Sequence, residues 1–314
     1  MKVFRRLSPR LRGLTADSVL AIGIFDGCHL GHQKILKNVT NQGRRLGVAA
    51  GLMTFSPHPE RILNHKRIPL IQTGQQKLEW LEKQGLDYCL VLSLEKDLAT
   101  LSGREFARKI LREQLGISAV VVGQNFRFGH HRRCGVLELR DFGRRYGFRV
   151  MVVRPVTRGG TQVSSSLIRH LLEKGRVEQA ASLLGRPYEI QGTIIRGRGF
   201  GRTIGFPTIN LKTQNEILPP GVYLALVKIG NTTYRAVANI GFRPTFGGKQ
   251  PSVEAHLLDF SGKLYGQEAR LYLLKKLRNE KKFPSVESLR RQIAADVSRA
   301  RQLFRAGRHR VPQS

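Results

Sequence analysis

The sequence predicts an α/β module followed by a small antiparallel β-barrel that ends in a helix. Three observations predict it. Apolar, strand-like runs alternate with helical stretches from Val19 to about Leu184, the pattern of a parallel sheet with helices on its faces. Around Gly185-Arg-Pro187 the pattern changes to short strands and turns with no helices between them, as in a small barrel. Between strand-like Val19–Ile24 and the first long helical stretch lies the turn Gly23–Gln33, GIFDGCHLGHQ, at the carboxyl end of a strand, where ligands bind in open α/β sheets. The expected modules are therefore 1–185 and 186–314.

A chain of 314 residues is long enough for two ordinary domains. Its 40% hydrophobic and 24% charged residues are normal for a globular protein. No apolar run approaches the roughly 20 residues that span a bilayer. The basic N-terminus MKVFRRLSPRLRG lacks the apolar core of a secretory signal. Cys28, Cys89 and Cys134 are few, scattered and odd in number, which fits a reducing, cytoplasmic setting and no disulfide framework or metal-ligand spacing. Charge is the departure from average: 54 Lys and Arg against 22 Asp and Glu give +32. That balance suits anionic partners such as nucleotides and pyrophosphate. The basic residues run along the whole chain rather than forming one arm, so no specific nucleic acid is expected.

In the turn, Gly23, Gly27 and Gly31 let the backbone approach a ligand and bend from strand into helix. His29 and His32, in the first helical turn, share a face beside unpaired N–H groups, a site for phosphate. There is no GxxxxGK[ST] loop and no HExxH. Expected strands follow at Val48–Phe55, Tyr88–Leu94, Ala119–Val122 and Phe148–Val153. Helices are expected near Gln75–Gln84, from the capping box Ser102-Gly-Arg-Glu105 to Leu115, and near Leu137–Tyr146. TFSPHP (Thr54–Pro59) brings His58 and Pro59 to a rigid loop at a strand end; ordinary loop polarity explains His58 as well. GQNFRFG (Gly123–Gly129) offers Asn125, Phe126 and Phe128, the two rings suiting either a flat ring system or the core. SSSLIR (Ser164–Arg169) puts hydroxyls and a guanidinium at a helix start, suited to phosphate oxygens, although one serine serves equally as a cap.

In the second module, strands are expected at Tyr188–Ile195, Val222–Ile229, Thr232–Ile240, Val253–Phe260 and Lys263–Leu274. Gly230-Asn231 and Ser261-Gly262 read as two hairpin turns. Val286, Leu289, Ile293, Val297, Ala300 and Phe304 mark a closing amphipathic helix before a basic tail, Arg305–Ser314. The loop GRGFGRTIGFPTIN (Gly197–Asn210) supplies Gly197, Gly199, Gly201 and Arg202 to wrap polyphosphate. Period two sets Thr208 and Asn210 on one face, paired neutral oxygens that suit Mg²⁺ beside a substrate phosphate. In VEAHLL, Glu254 and His256 share the face opposite Val253, Ala255 and Leu257. A carboxylate there is either surface polarity or paired, metal-bound or used.

GxFDGxHxGHQ, TFSPHP, GQNFRFG and SSSLIR resemble, in order, the FAD synthetase module of the bacterial bifunctional riboflavin kinase/FAD synthetase family, whose HxGH is shared with class I aminoacyl-tRNA synthetases. GxGxGRxxGFPTxN, NIGFRPTF (Asn239–Phe246), VEAHLLDF, LYG (Leu264–Gly266) and LRNEKKF (Leu277–Phe283) resemble its riboflavin kinase module. The resemblance covers roughly residues 15–305. It implies a Rossmann-like nucleotidyltransferase module, 1–185, and a kinase module, 186–314. Asn125, Leu167 and the segment RRCG at Arg132–Gly135 depart from the family's usual residues.

What the resemblance implies is phosphorylation of riboflavin to FMN with ATP and Mg²⁺, then adenylylation of FMN to FAD with release of pyrophosphate. ATP phosphates are implied at Gly23, Phe25, Asp26, His29, Gly31, His32, Ser165, Ser166 and Arg169, and at the glycines and Arg202 of the second loop. Flavin is implied at His58, Pro59, Asn125, Phe126, Phe128 and Arg278, metal at Thr208 and Asn210, and the general base at Glu254. The rival readings are another cytidylyl- or adenylyltransferase fused to an unrelated barrel, and an RNA-binding protein on a retired enzyme scaffold. A tRNA synthetase is disfavoured because no KMSKS-like loop follows the HxGH.

Overall fold

A computed structural model describes residues 1–63, 65, 67–94, 96–197, 199–242 and 251–307. The chain forms two compact units: Met1–Ile68 with Gly74–Val163, and Pro69–Thr73 with Ser164–Ser314.

The first unit is built on six parallel strands: β1 (Lys2–Phe4), β2 (Val19–Ile22), β3 (Ala50–Phe55), β4 (Tyr88–Leu92), β5 (Ala119–Gly123) and β6 (Arg149–Val153), in the order β1-β4-β3-β2-β5-β6. Around them lie α1 (Arg12–Thr15), α2 (Leu30–Leu46), α3 (Pro59–Leu63), α4 (Gly74–Glu82), α5 (Lys96–Ala99), α6 (Gly103–Glu105) and α7 (Val136–Tyr146). The turn into α6 carries the expected capping box, Ser102 with Glu105, and Phe106–Gln114 continues it as a π-helix. Two apolar clusters lie on opposite faces of the sheet. One gathers Leu20, Met53, Leu90 and Val120 with Leu111 and Leu139; the other gathers Val19, Ala21, Leu52 and Val121 with Leu36 and Leu81. A strand covered on both faces must be apolar throughout, and β2, β4 and most of β3 and β5 are buried. The order reverses direction between β2 and β5, and this switch point is where a ligand crevice forms in such sheets. A short hairpin, β7 (Thr157–Arg158) with β8 (Thr161–Gln162), ends the unit.

The second unit opens with α8 (Ser165–Glu173) and α9 (Val177–Leu184), whose Val177, Ala180, Leu183 and Leu184 are buried. α9 packs against β9 (Tyr188–Ile195) and β14 (Glu268–Arg278), which is why both helices belong with the barrel and the units divide ahead of the change in strand pattern. The segment Pro69–Thr73 is tied into the same unit by three hydrogen bonds. Arg169 Nε donates to Pro69 O at 2.9 Å, Leu70 N to Glu216 Oε2 at 2.9 Å, and Arg186 Nη2 to Gln72 Oε1 at 3.1 Å.

After β9 come α10 (Phe200–Thr203), β10 (Ile209–Thr213), β11 (Gly221–Ile229), β12 (Thr232–Phe242), β13 (Pro251–Leu257) and β14, closed in the order β10-β13-β12-β11-β14-β9. α11 (Val286–Arg305), capped by Ser285, lays Val297, Ala300 and Phe304 against the outside of the barrel over Val222, Leu224 and Val237. The hairpin at Gly230-Asn231 is present, with Ile229 opposite Thr232 and Gly230 at φ +56°. The hairpin expected at Ser261-Gly262 is not. β13 pairs with β10 and β12, while β14 pairs with β11 and β9, so the two strands are not neighbours. β13 ends at Leu257, and Leu258 N donates to Arg235 O while the chain turns away through Asp259 at φ +59°. The latter part of the Asn239–Phe246 motif and the end of the basic tail, 308–314, lie outside the described residues, as does Arg198.

Candidate active sites

The turn after β2 is braced from within. His29 is the N-cap of α2, and its Nδ1 accepts the backbone N–H of His32 at 3.4 Å. An acceptor at Nδ1 leaves the ring's proton on Nε2, which makes His29 a donor at that nitrogen. The two imidazoles stack at 3.7 Å with 16° between planes, and the Phe25 ring lies 4.8 Å from His32. Phe25 is wholly buried, side chain and backbone, at φ +55°. Gly23 has no side chain because a Cβ there would meet the Phe25 ring at 2.9 Å, and one at Gly31 would meet the His29 ring at 3.1 Å. Asp26 is buried beside these groups.

Three carbonyl oxygens of the turn are held by side chains. Ile24 O accepts from Thr54 Oγ1 at 2.8 Å and from Lys77 Nζ at 3.3 Å; Phe25 O accepts from Cys28 Sγ at 3.4 Å; Cys28 O accepts from Gln33 Nε2 at 3.0 Å. Lys77, on α4, is buried, and burial pushes its pKa below the ordinary lysine value while Cys28, Asp26 and Cys89 nearby act the other way. In the sequence Lys77 looks like a solvated helix residue; the signal of its burial is a place one turn before apolar Leu81.

The other expected residues of this unit have mixed places. His58 is buried, and its Nδ1 accepts the Glu60 N–H at 3.2 Å, capping α3, with Pro59 as the first helical residue. Glu60 pairs with Arg132 at 3.0 Å. Asn125 is exposed in the turn after β5. Phe126 and Phe128 stack on one another at 5.5 Å, and Phe128 is buried against Phe106 and Phe142. The Phe128 ring is therefore a core group rather than an open flat face. Ser165, Ser166 and Arg169 start α8 in the second unit, where Ser164 is the N-cap and accepts the Leu167 N–H at 3.3 Å.

The second unit carries a cavity of about 400 Å³ on the outside of the barrel, under α11 and the loop from Gly199 to Phe206. Its floor is one register row across five adjacent strands: Asn210 opposite Glu254, Glu254 opposite Asn239, Asn239 opposite Val222, and Val222 opposite Arg278. Directly opposed residues share a face, and all five line the cavity. Thr208 Oγ1 donates to Glu254 Oε2 at 3.4 Å. His256 lies one position along the same face, its Nδ1 2.8 Å from Pro207 O and its ring edge-on to Phe206. A Cβ at Gly197 would collide with the Asn210 amide, and one at Gly201 would crowd Thr208 Oγ1 at 3.3 Å. Gly199, at φ +77°, starts α10, on which Arg202 is exposed.

Arg278 does not stand alone. Its Nε reaches both oxygens of buried Asp296 on α11, at 3.1 and 2.9 Å, and its Nη2 is 2.8 Å from Asp296 Oδ2. Gln292 also donates to Asp296, and the Arg278 guanidinium lies 5.7 Å from the Phe283 ring centre. Asn239 and Asp296 were missed in the sequence, because the row exists only once distant strands are in register and the ion pair only once α11 lies against β14.

A family model described as FAD synthetase matches residues 12–167, and one described as riboflavin kinase matches residues 184–304. The bifunctional riboflavin kinase/FMN adenylyltransferase of Escherichia coli K12 is 36% identical over 307 residues, covering 97% of this chain and 98% of the relative. This chain belongs to the bifunctional riboflavin kinase/FMN adenylyltransferase family. The relative from Bacillus subtilis is 36% identical over 298 residues, covering 92% of this chain and 93% of its own, under the same description. A solved structure from Streptococcus pneumoniae, titled a macrolide-efflux protein, superposes with a TM-score of 0.87 at 28% identity, covering 96% of this chain and 99% of that one. That likeness concerns the whole two-unit fold. Among the described residues no helix is long and apolar enough to cross a membrane.

Proposed function

We propose that each activity of this riboflavin kinase/FMN adenylyltransferase belongs to one of the two sites described above. The observation that carries the kinase half is the row Asn210–Glu254–Asn239–Val222–Arg278 on one cavity floor. Glu254 takes the proton of the riboflavin 5′-hydroxyl as that oxygen attacks the γ-phosphorus of ATP, and ADP leaves. Thr208 and Asn210 offer neutral oxygens beside a glycine-lined loop, a donor set that fits Mg²⁺ shared with substrate phosphate rather than a closed protein cage. When bound, the metal neutralises charge on the phosphates. Gly197, Gly199, Gly201 and Arg202 flank the polyphosphate. Arg278, steadied by Asp296, faces the flavin.

In the first unit, the terminal phosphate of FMN attacks the α-phosphorus of a second ATP and pyrophosphate leaves. A phosphate dianion is nucleophile enough, so the site has only to align it and stabilise developing charge. His29 and His32 donate to the phosphates, and Gly23, Phe25, Asp26 and Gly31 belong to the same turn, the Gly23 N–H itself being taken by Met53 O at 3.1 Å. The flavin lies toward His58, Pro59, Asn125 and Phe126. Ser165, Ser166 and Arg169 are assigned to ATP phosphate by the family motif alone. The modules 1–185 and 186–314 are proposed as the functional division, in a cytoplasmic enzyme. Supplying purified protein with riboflavin, ATP and Mg²⁺ and resolving the flavins tests this directly: FMN then FAD accumulate, whereas FMN alone removes the adenylylation half.

A further inference from the structure

We infer that Lys77 is a positioning residue for adenylyl transfer, fixing the Ile24–Phe25 peptide and with it the shape of the turn that carries His29 and His32. The inference rests on the reading that this turn takes the nucleotide.

Ile24 O is held by two donors at once, Thr54 Oγ1 at 2.8 Å and Lys77 Nζ at 3.3 Å, and Lys77 also reaches Thr54 Oγ1 at 3.2 Å. The three groups form a closed triangle under the turn. A trans peptide is planar with its C=O and N–H antiparallel, so a carbonyl pinned toward Lys77 turns the Phe25 N–H the opposite way. Phe25 itself sits at φ +55° and Cys28 at φ +42°, conformations that L-residues hold only when their surroundings over-determine them. The carbonyls of Phe25 and Cys28 are held as well, by Cys28 Sγ and Gln33 Nε2, so the path of the turn into His29 and His32 is fixed at three carbonyls. Lys77 is a buried cation beside buried Asp26. A lysine that only packed would have no reason to give up water for two oxygens of the turn.

The test uses the full-length protein with FMN and ATP supplied, and riboflavin phosphorylation as the internal control. Lys77→Met keeps the side chain's length and removes its donor. Loss of positioning on a sub-ångström to ångström scale costs on the order of 10² in rate, so kcat for FAD formation falls by about that factor while KM for ATP moves far less. Lys77→Arg restores part of the rate, and riboflavin phosphorylation stays at the parent level. Thr54→Val, which keeps Lys77, lowers the same kcat by about ten-fold. The double variant is no slower than Lys77→Met, because groups acting as one unit do not add; two separate packing defects would multiply. Trp80, the chain's single tryptophan, lies on the same helix as Lys77, and its emission reports whether that helix stays docked. If Lys77→Met undocks it, the Thr54→Val kcat carries the test. A parent rate in Lys77→Met, or in Thr54→Val where Lys77→Met undocks the helix, or losses that multiply, overturns the inference. His29→Ala is run alongside: if it too forms FAD at the parent rate, the nucleotide reading of the turn has failed, and if it collapses while Lys77→Met does not, only the role of Lys77 has.

Discussion

The two sites are built from opposite materials. In the first unit the proposed site is a single backbone turn, with its Ile24, Phe25 and Cys28 carbonyls held by side chains and two imidazoles stacked at a helix start. In the second it is side chains, set in one row by strand register and spread over five strands. The difference follows from the folds. A parallel sheet covered on both faces offers ligands only the loops at its strand ends. A barrel filled with its own side chains offers its outer face, where every second residue of each strand is available. A backbone site is fragile to changes in turn geometry and tolerant along the strands; a register site is the reverse.

Substitutions break or sharpen this contrast in descending order of effect. Glu254→Gln keeps size and hydrogen bonding but removes the base, so riboflavin phosphorylation falls by about 10²–10⁴ in a steady-state assay with riboflavin as substrate. His29→Ala or His32→Ala removes one donor from the turn and lowers FAD formation from FMN by on the order of 10²–10³, read by separating the flavins. Asp296→Asn leaves the Arg278 guanidinium in the cavity wall without its carboxylate. Hydrogen bonds to charged groups are worth about 1.5–3 kcal/mol, and a stability loss of that order is expected in denaturant unfolding of the barrel, with KM for riboflavin rising. The smallest effect lies away from both sites. Hydrogen bonds from Lys109 and from Ser102 hold the Glu105 carboxyl down at about 2, against an ordinary 4.5. A depressed pKa of this kind contributes stability that is fully present above 4.5 and is lost as pH falls through about 2. Glu105→Gln flattens that acid limb in thermal melts and leaves both activities at pH 7 unchanged.

The same contrast explains what the sequence made legible. The turn at Gly23–His32 is local, so its glycines, caps and histidines could be read off a dozen consecutive residues. The strand-helix alternation and the closing helix were legible for the same reason, since period and caps are local properties. β1 escaped because three largely exposed residues carry no apolar run. Ser261-Gly262 misled because a hairpin signal says that the chain turns, not which strand it then joins; barrel closure took β14 to β11 and β9 instead. Thr208, Asn210 and Glu254 were singled out individually from period two, but Asn239 required knowing that β12 and β13 pair with Asn239 opposite Glu254. Arg278 was placed without Asp296 because that ion pair joins a strand to a helix. Lys77 is the reverse of the usual case, a charged residue on the buried face of a helix, and only the carbonyl it reaches reveals why.

The central claim is that backbone site and register site perform different reactions, and one crossed measurement tests it. Glu254→Gln and the His29→Ala/His32→Ala double variant are each assayed in two tubes, one with riboflavin, ATP and Mg²⁺, the other with FMN in place of riboflavin. The expected result is a cross: Glu254→Gln fails with riboflavin and still makes FAD from FMN, while the histidine variant makes FMN from riboflavin and no FAD in either tube. If each variant loses both reactions to the same degree, or if Glu254→Gln phosphorylates riboflavin at the parent rate, the assignment of one reaction to each site is wrong.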